Sequence, residues 1–381
     1  MSKKTYIGVG GVAHKVKKGY IGVNGVARRI KKAYIGIGGV ARPCWSGGEL
    51  QYYGAITSFS TARYGVSATS VDNYALFAGG YILNGRSNVV ECYNKSLVKS
   101  TTTSGLTVNK ASVASTTIGG NAIFFGGEDS TGTYSNSVDI YASDLSKKQP
   151  AFTVANSVYE PQATSVGDYA LFGGGRLSSG ANAGLELVVN KSLTRITSAG
   201  AFAENRCNHA AATVGNFALF GGGTSTSYTQ MVEVYSSSLS KTNWAQGLSV
   251  GRRELSATTV GDYALFAGGE AYTGNGTAAS NIVDVVNKSL TRSSAAELSS
   301  ARYIMAATSV GDYAIFGGGT GTSPIYDIYD KSLTHTTVNQ VFARTNVAAA
   351  SIGDYAIFAG GSKSGSTSSM HCKEVYAFTV A

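Results

Sequence analysis

Little of this 381-residue chain is charged, and still less of it is proline, cysteine or histidine. Charged residues make up 14%, against about a quarter in an average protein, so solvated disordered tails do not dominate. Only 4 prolines accompany 49 glycines. The glycines follow no three-residue period, which excludes collagen and implies many tight turns. Cys44, Cys92, Cys207 and Cys372 lie far apart with no C-x-x-C pair, so neither a disulfide framework nor a zinc site is expected. No apolar run approaches the ~18 residues of a membrane span, so no membrane insertion is expected. The opening MSKKTYIGVGG lacks the apolar stretch of a signal peptide. No P-loop, Ser-His-Asp order or metalloprotease helix motif is present. His14, His209, His335 and His371 fall in unrelated segments. No catalytic residue, metal or cofactor is therefore expected.

What the chain does have is repetition. Hydrophobic residues make up 43%, enough for a substantial core, and the length alone suggests two to three domains at about 150 residues each. Residues 1–42 hold three copies of one unit, KKTYIGVGGVAHKV, KKGYIGVNGVARRI and KKAYIGIGGVAR, with Tyr6, Tyr20 and Tyr34 spaced 14 residues apart. Each copy is two short apolar runs around a Gly-Gly or Asn-Gly pair. Asn24-Gly25 suits a type I′ turn, so each unit reads as a β-hairpin. A lone hairpin is marginal in water, which implies that these units dock on something.

A second repeat begins near residue 50, with V-G-D-Y-A-L-F-x-G-G as its core. Seven copies start their second strand at Tyr74, Asn121, Tyr169, Phe217, Tyr263, Tyr313 and Tyr355, at intervals of 47, 48, 48, 46, 50 and 42. Each reads as strand, two-residue turn, apolar strand ending in Gly-Gly, third strand such as VVECY, turn, and Ser/Thr-rich fourth strand. Four strands per 40–50 residues is the pattern of a β-propeller. The Asn-Lys-Ser triplets at Asn94, Asn190 and Asn287 match glycosylation sequons, but their place in the repeat makes them turns. The segment YYGAITSFSTAR (52–63) resembles fourth-strand segments of other copies, and should complete the last sheet.

The double glycine, the acid-x-Tyr of the third strand and the Arg that opens the next copy resemble kelch repeats, over residues 50–381. The Trp that usually follows the third-strand Tyr is approximated only by Trp244, which marks a divergent member. The expected fold is all-β: a seven-bladed β-propeller of four-stranded blades at 46–381, its N-terminal strand closing the last blade, preceded by three β-hairpin repeats at 1–45.

Connections between strands two and three vary most. From the second Gly to the third-strand Tyr position they span 13, 14, 14, 12, 17, 10 and 15 residues. Variable loops on a rigid scaffold are where binding residues collect. Tyr81, Tyr134, Tyr228 and Tyr272 stand in them amid Ser, Thr, Gly and Asn, a mixture suited to hydroxyl-rich ligands and adaptable protein contacts. Eleven residues before each second-strand aromatic stands Arg63, Lys110, Val158, Arg206, Arg252, Arg302 or Arg344. Two before each third-strand Tyr position stands Glu91, Asp139, Leu187, Glu233, Asp284, Asp327 or Glu374. The copy lacking the base also lacks the acid. That coincidence favours six structural salt bridges over an anion-binding ring.

The hairpin units resemble segments at the start of tail and baseplate-associated proteins of phages and prophages of Gram-positive bacteria. The resemblance implies attachment to a virion tail or baseplate component through residues 1–45, with trimerisation as one form of anchoring. It implies a location in the virion, or in the bacterial cytoplasm before release. The propeller would present its variable face to a host-surface glycan or protein. Two other readings stay open: an intracellular protein-interaction scaffold, and a carbohydrate-active propeller enzyme. The net charge of +9 does not change this. Ten basic side chains and no acid lie in residues 1–48, leaving 21 basic against 22 acidic in the remainder. A nucleic-acid face on the repeat body is therefore not expected.

Overall fold

The computed structural model describes residues 49–380 apart from 245, 322–323, 340–342 and 364–370, and within 1–48 the backbone of six short strands. The described residues form strands and turns, with no helix long and apolar enough to cross a membrane. The chain is all-β and antiparallel throughout. Near the N-terminus, Tyr6–Val9 pairs with Val12–Lys15, Gly19–Val23 with Val26–Ile30, and Ala33–Ile37 with Val40–Trp45. The Asn24-Gly25 turn lies outside the described residues.

The apolar run of each repeat becomes a strand buried on both faces, as an unbroken apolar segment requires. In repeat 1 the strands are Ser67–Val71, Tyr74–Ala78, Val90–Asn94 and Lys99–Thr101, hydrogen-bonded in that order. Repeats 2, 4, 5 and 6 follow the same order. A positive φ at the first turn residue, such as 54° at Gly167, suits the tight link between strands one and two. In repeat 7, Ala348–Ile352, Tyr355–Ala359 and Val375–Val380 are joined by Leu50–Ile56 in the fourth place, where the sequence puts the 52–63 segment.

Repeat 3 departs from the expected four strands. It ends at Leu185–Asn190, and its fourth strand is reduced to one bridge between Val189 and Arg195. This is the repeat without the base and the acid. Val158 and Leu187 instead join an apolar cluster with Val154 and Phe172. The fourth-strand cation, with no acid to meet, turns to carbonyls: Arg195 donates to Thr153 and Glu186.

Seven apolar clusters among the described residues join consecutive sheets, the last pair being the seventh and the first. Phe77 of repeat 1, for example, packs with Ile357 of repeat 7. The first strands also lie side by side in sequence order, with Ala348–Ile352 next to Ser67–Val71.

Candidate functional site

Five of the six expected ion pairs form. Arg63 meets Glu91, Lys110 meets Asp139 at 3.0 Å, Arg206 meets Glu233 at 2.7 Å, Arg252 meets Asp284, and Arg302 meets Asp327. The bases are at most 1% exposed in these pairs, which leaves them unavailable to a soluble anion. The base crosses strand two where Gly-Gly offers no side chain. Arg63 Nη1 donates to the Gly79 carbonyl at 2.8 Å on its way to Glu91. Arg252 does the same at Gly268.

Each acid also takes bonds from the linker ahead of its base. Glu91 accepts the N–H and O–H of Ser60, and Asp139 those of Thr107. A second cation arrives from the fourth strand as Lys99 on Glu91, Lys147 on Asp139 and Lys241 on Glu233, and in repeat 6 the same place is taken by His335, its Nε2 2.7 Å from Asp327. Burial works against ionising Glu91, but the Ser60 N–H, Arg63 and Lys99 outweigh it and hold its pKa below the ordinary value.

The sixth pair, Arg344 with Glu374, does not form. The strand register places Phe358 opposite Tyr376, as Phe77 stands opposite Glu91. Tyr376 therefore occupies the acid position, and Phe378 that of the third-strand Tyr. The sequence alignment was two residues out because the last connection is longer than its acid-x-Tyr look-alike suggests. Arg344 still donates to the carbonyls of Gly360 and Glu374, and its guanidinium lies 5.0 Å from the Tyr376 ring centre.

The four loop tyrosines share one end of the sheets without forming one cluster. Tyr81 is half-buried, stacks on Tyr64 at 4.7 Å, and donates to Glu128 at 2.8 Å. Tyr134 stacks on Tyr159, whose hydroxyl is 3.3 Å from that of Tyr81. Tyr228 donates to Glu270 at 2.8 Å, and burial with this carboxylate pushes its pKa up to about 12. Tyr272 is 64% exposed at the end of a short strand, paired with Thr277, and its hydroxyl donates to the Gly274 carbonyl at 3.0 Å.

A cavity of about 370 Å³ opens at this end, lined by residues from all seven repeats. Its rim is a position the sequence reading passed over, two residues beyond each base or, in repeat 3, beyond Val158: Gly65, Ser112, Glu160, Asn208, Glu254, Ile304 and Asn346. All seven have φ between 51° and 59°. Gly and Asn tolerate that conformation readily, whereas Glu and especially the β-branched Ile304 do not. Backbone bonds link neighbours around the rim: Gly65 N–H to Asn346, Ser112 to Gly65, Glu254 to Asn208 and Ile304 to Glu254. The fixed spacing from the base was the signal that could have revealed these residues.

Burial raises the pKa of both Glu160 and Glu254, and the Glu160 charge pushes Glu254 further. His209 also lines the cavity, 2% exposed, with neither ring nitrogen hydrogen-bonded. Burial, aided by Arg206, lowers its pKa to about 3, so it is neutral near pH 7. Elsewhere His335 stacks on Tyr329 and His371 lies against Tyr64. Among the described residues no group of three or more His, Cys, Asp or Glu could hold a metal ion, and the Cys92, Cys207 and Cys372 side chains are buried. The sequence matches no protein-family model and no curated protein.

Proposed function

We propose that the seven sheets are the blades of a kelch-like β-propeller and that the chain is a non-enzymatic binding protein. Residues 1–45 would anchor it to a phage or prophage tail or baseplate, as a homotrimer in one form. The face carrying Tyr81, Tyr134, Tyr228 and Tyr272 would meet a host-surface glycan or protein. The blade reading is supported by the cyclic order of the apolar clusters, which brings repeat 7 against repeat 1. One observation carries the binding reading: the variable connections, their tyrosines and a cavity lined by every repeat lie at the same end. A polar concavity at the same end as tyrosine-bearing variable loops suits sugars and flexible protein segments.

The test is sedimentation of the full chain with cell walls from a panel of Gram-positive bacteria. Binding to some walls and not others is expected, weakened by Tyr272→Ala. Stripping protein or glycan from the walls separates the two ligand classes. No binding across a broad panel removes the reading. A second reading, a carbohydrate-active enzyme, is favoured by Glu160 and Glu254, two carboxyls of raised pKa in one cavity. Release of new reducing ends from the walls, lost in Glu160→Gln, would establish it.

A further inference from the structure

Glycine after asparagine makes a reactive pair. With no side chain to obstruct it, the glycine nitrogen can swing onto the asparagine Cγ. The chain has three such pairs, at Asn24, Asn84 and Asn275. The first lies outside the described residues. The other two sit between strands two and three of repeats 1 and 5, at the end of the sheets that carries the tyrosines.

These two are held very differently. In repeat 1, Leu83-Asn84 is a two-residue turn, and Gly85 already belongs to the ladder opposite Ile82. The ladder is pinned from outside: the Arg86 N–H donates to Ser130 Oγ at 3.3 Å, and its guanidinium meets Glu128 at 2.7 Å. In repeat 5, residues 273–276 stand outside the ladder, beyond the Tyr272–Thr277 pair. Asn275 is exposed between Gly274 and Gly276, whose φ values are 87° and 144°. A Cβ on either glycine would meet nothing within 4 Å. The bonds that hold this loop use carbonyls. Thr273 donates its N–H and hydroxyl to Gly276 at 2.9 and 3.2 Å, and Tyr272 donates to Gly274. The Gly276 N–H and the Asn275 carboxamide have no partner among the described residues. Asn94, Asn190 and Asn287 are the opposite case: a lysine follows each, and each carboxamide oxygen is held by two backbone N–H groups.

We propose that Asn275 is a site of spontaneous modification, converted in water to aspartate and isoaspartate. The Gly276 nitrogen gives its proton to hydroxide and bonds to Asn275 Cγ. The Cγ–Nδ2 bond breaks, ammonia leaves with a proton from water, and a cyclic imide remains. Water then opens either imide C–N bond. Opening at the side-chain carbonyl restores the peptide beside an aspartate. Opening at the backbone carbonyl gives isoaspartate, which lengthens the main chain by a methylene. The sum is asparagine and water to acid and ammonia, with no redox change. Either product puts a carboxylate in the loop that Tyr272 grips through Gly274. A resulting loss of wall binding rests on the binding reading above.

The experiment incubates the full chain in warm, mildly alkaline buffer, digests it, and locates the new acid by fragmentation mass spectrometry. Asn275 should convert roughly tenfold faster than Asn84, whose hairpin must first open. Gly276→Ala should slow conversion of Asn275 and leave that of Asn84 unchanged. Equal rates at the two sites, faster conversion at Asn84, or an Asn275 rate indifferent to Gly276→Ala overturns the proposal. Cell-wall sedimentation of fresh and incubated protein separates the two readings. Incubation should weaken wall binding of the wild type and spare that of Asn275→Gln. Conversion in a protein that binds no wall even when fresh removes the host-binding reading and leaves the modification site standing. Wall binding without conversion does the reverse.

Discussion

Glu91 and Leu187 stand at the same place in two repeats and solve it in opposite ways. Glu91 is fully buried and satisfied by Arg63, Lys99 and Ser60; Leu187 packs on Val158 with no charge at all. Exchanging a buried ion pair for apolar residues is often neutral, whereas removing one partner strands a charge. Glu91→Ala should therefore cost about 3–5 kcal/mol in urea unfolding, and the double change Arg63→Val with Glu91→Leu distinctly less. Equal losses would show that the pair is held by more than its charges. His209 gives a pH test. The unfolded chain protonates it near 6.5, the folded chain only near 3. Stability from this residue is thus intact above 6.5 and drains as pH falls toward 3. The loss at pH 5 is about 2 kcal/mol. Glu160 and Glu254, with raised pKa, gain stability on acidification, while Glu91 and Asp139, with lowered pKa, lose theirs only below the ordinary carboxylate value. The His209→Phe variant isolates the first effect. Its stability relative to wild type should rise by that amount between pH 7 and pH 5, and a constant difference would contradict the assignment.

At the scale of elements, the chain joins its ends through Leu50–Ile56, which covers the edge of Val375–Val380. A bare edge strand loses pairing and invites aggregation. Deleting residues 1–48 should leave the melting temperature of the remainder near that of the full chain, and deleting 1–56 should lower it and promote aggregation. Equal behaviour of the two truncations would mean the strand contributes little. This closing strand was legible because its fourth-strand pattern recurs inside the chain. The second strands were legible as seven apolar runs ended by Gly-Gly. The turns at Asn94, Asn190 and Asn287 were too: each side-chain oxygen accepts two backbone N–H groups ahead of it. The last third strand was misread because Glu374-Val375-Tyr376 imitates the acid-x-Tyr pattern, and only pairing with Tyr355–Ala359 fixes the register. The rim residues were missed for a different reason. Their common feature is a backbone conformation, shared by Gly, Ser, Glu, Asn and Ile, and side-chain chemistry does not announce it.

Across the whole molecule, charge is divided as sharply as structure. Residues 1–48 hold ten basic side chains and no acid, and the remainder holds 21 basic against 22 acidic. Attachment through the N-terminal segment to an acidic partner should weaken as salt rises, while wall binding by the repeat body should change little. The two ends of the sheets differ as well. One carries the tyrosines and the cavity. The other carries exposed, solvent-screened pairs such as Lys191–Asp168 and Lys288–Asp262, each about 60% exposed and worth little to stability. The most direct measurement compares wall binding by the full chain after substitutions at each end. Tyr81→Ala with Tyr272→Ala should abolish most binding, and Lys191→Ala with Lys288→Ala should leave it intact. Loss of binding from the lysine end, with the tyrosine end silent, would contradict the account.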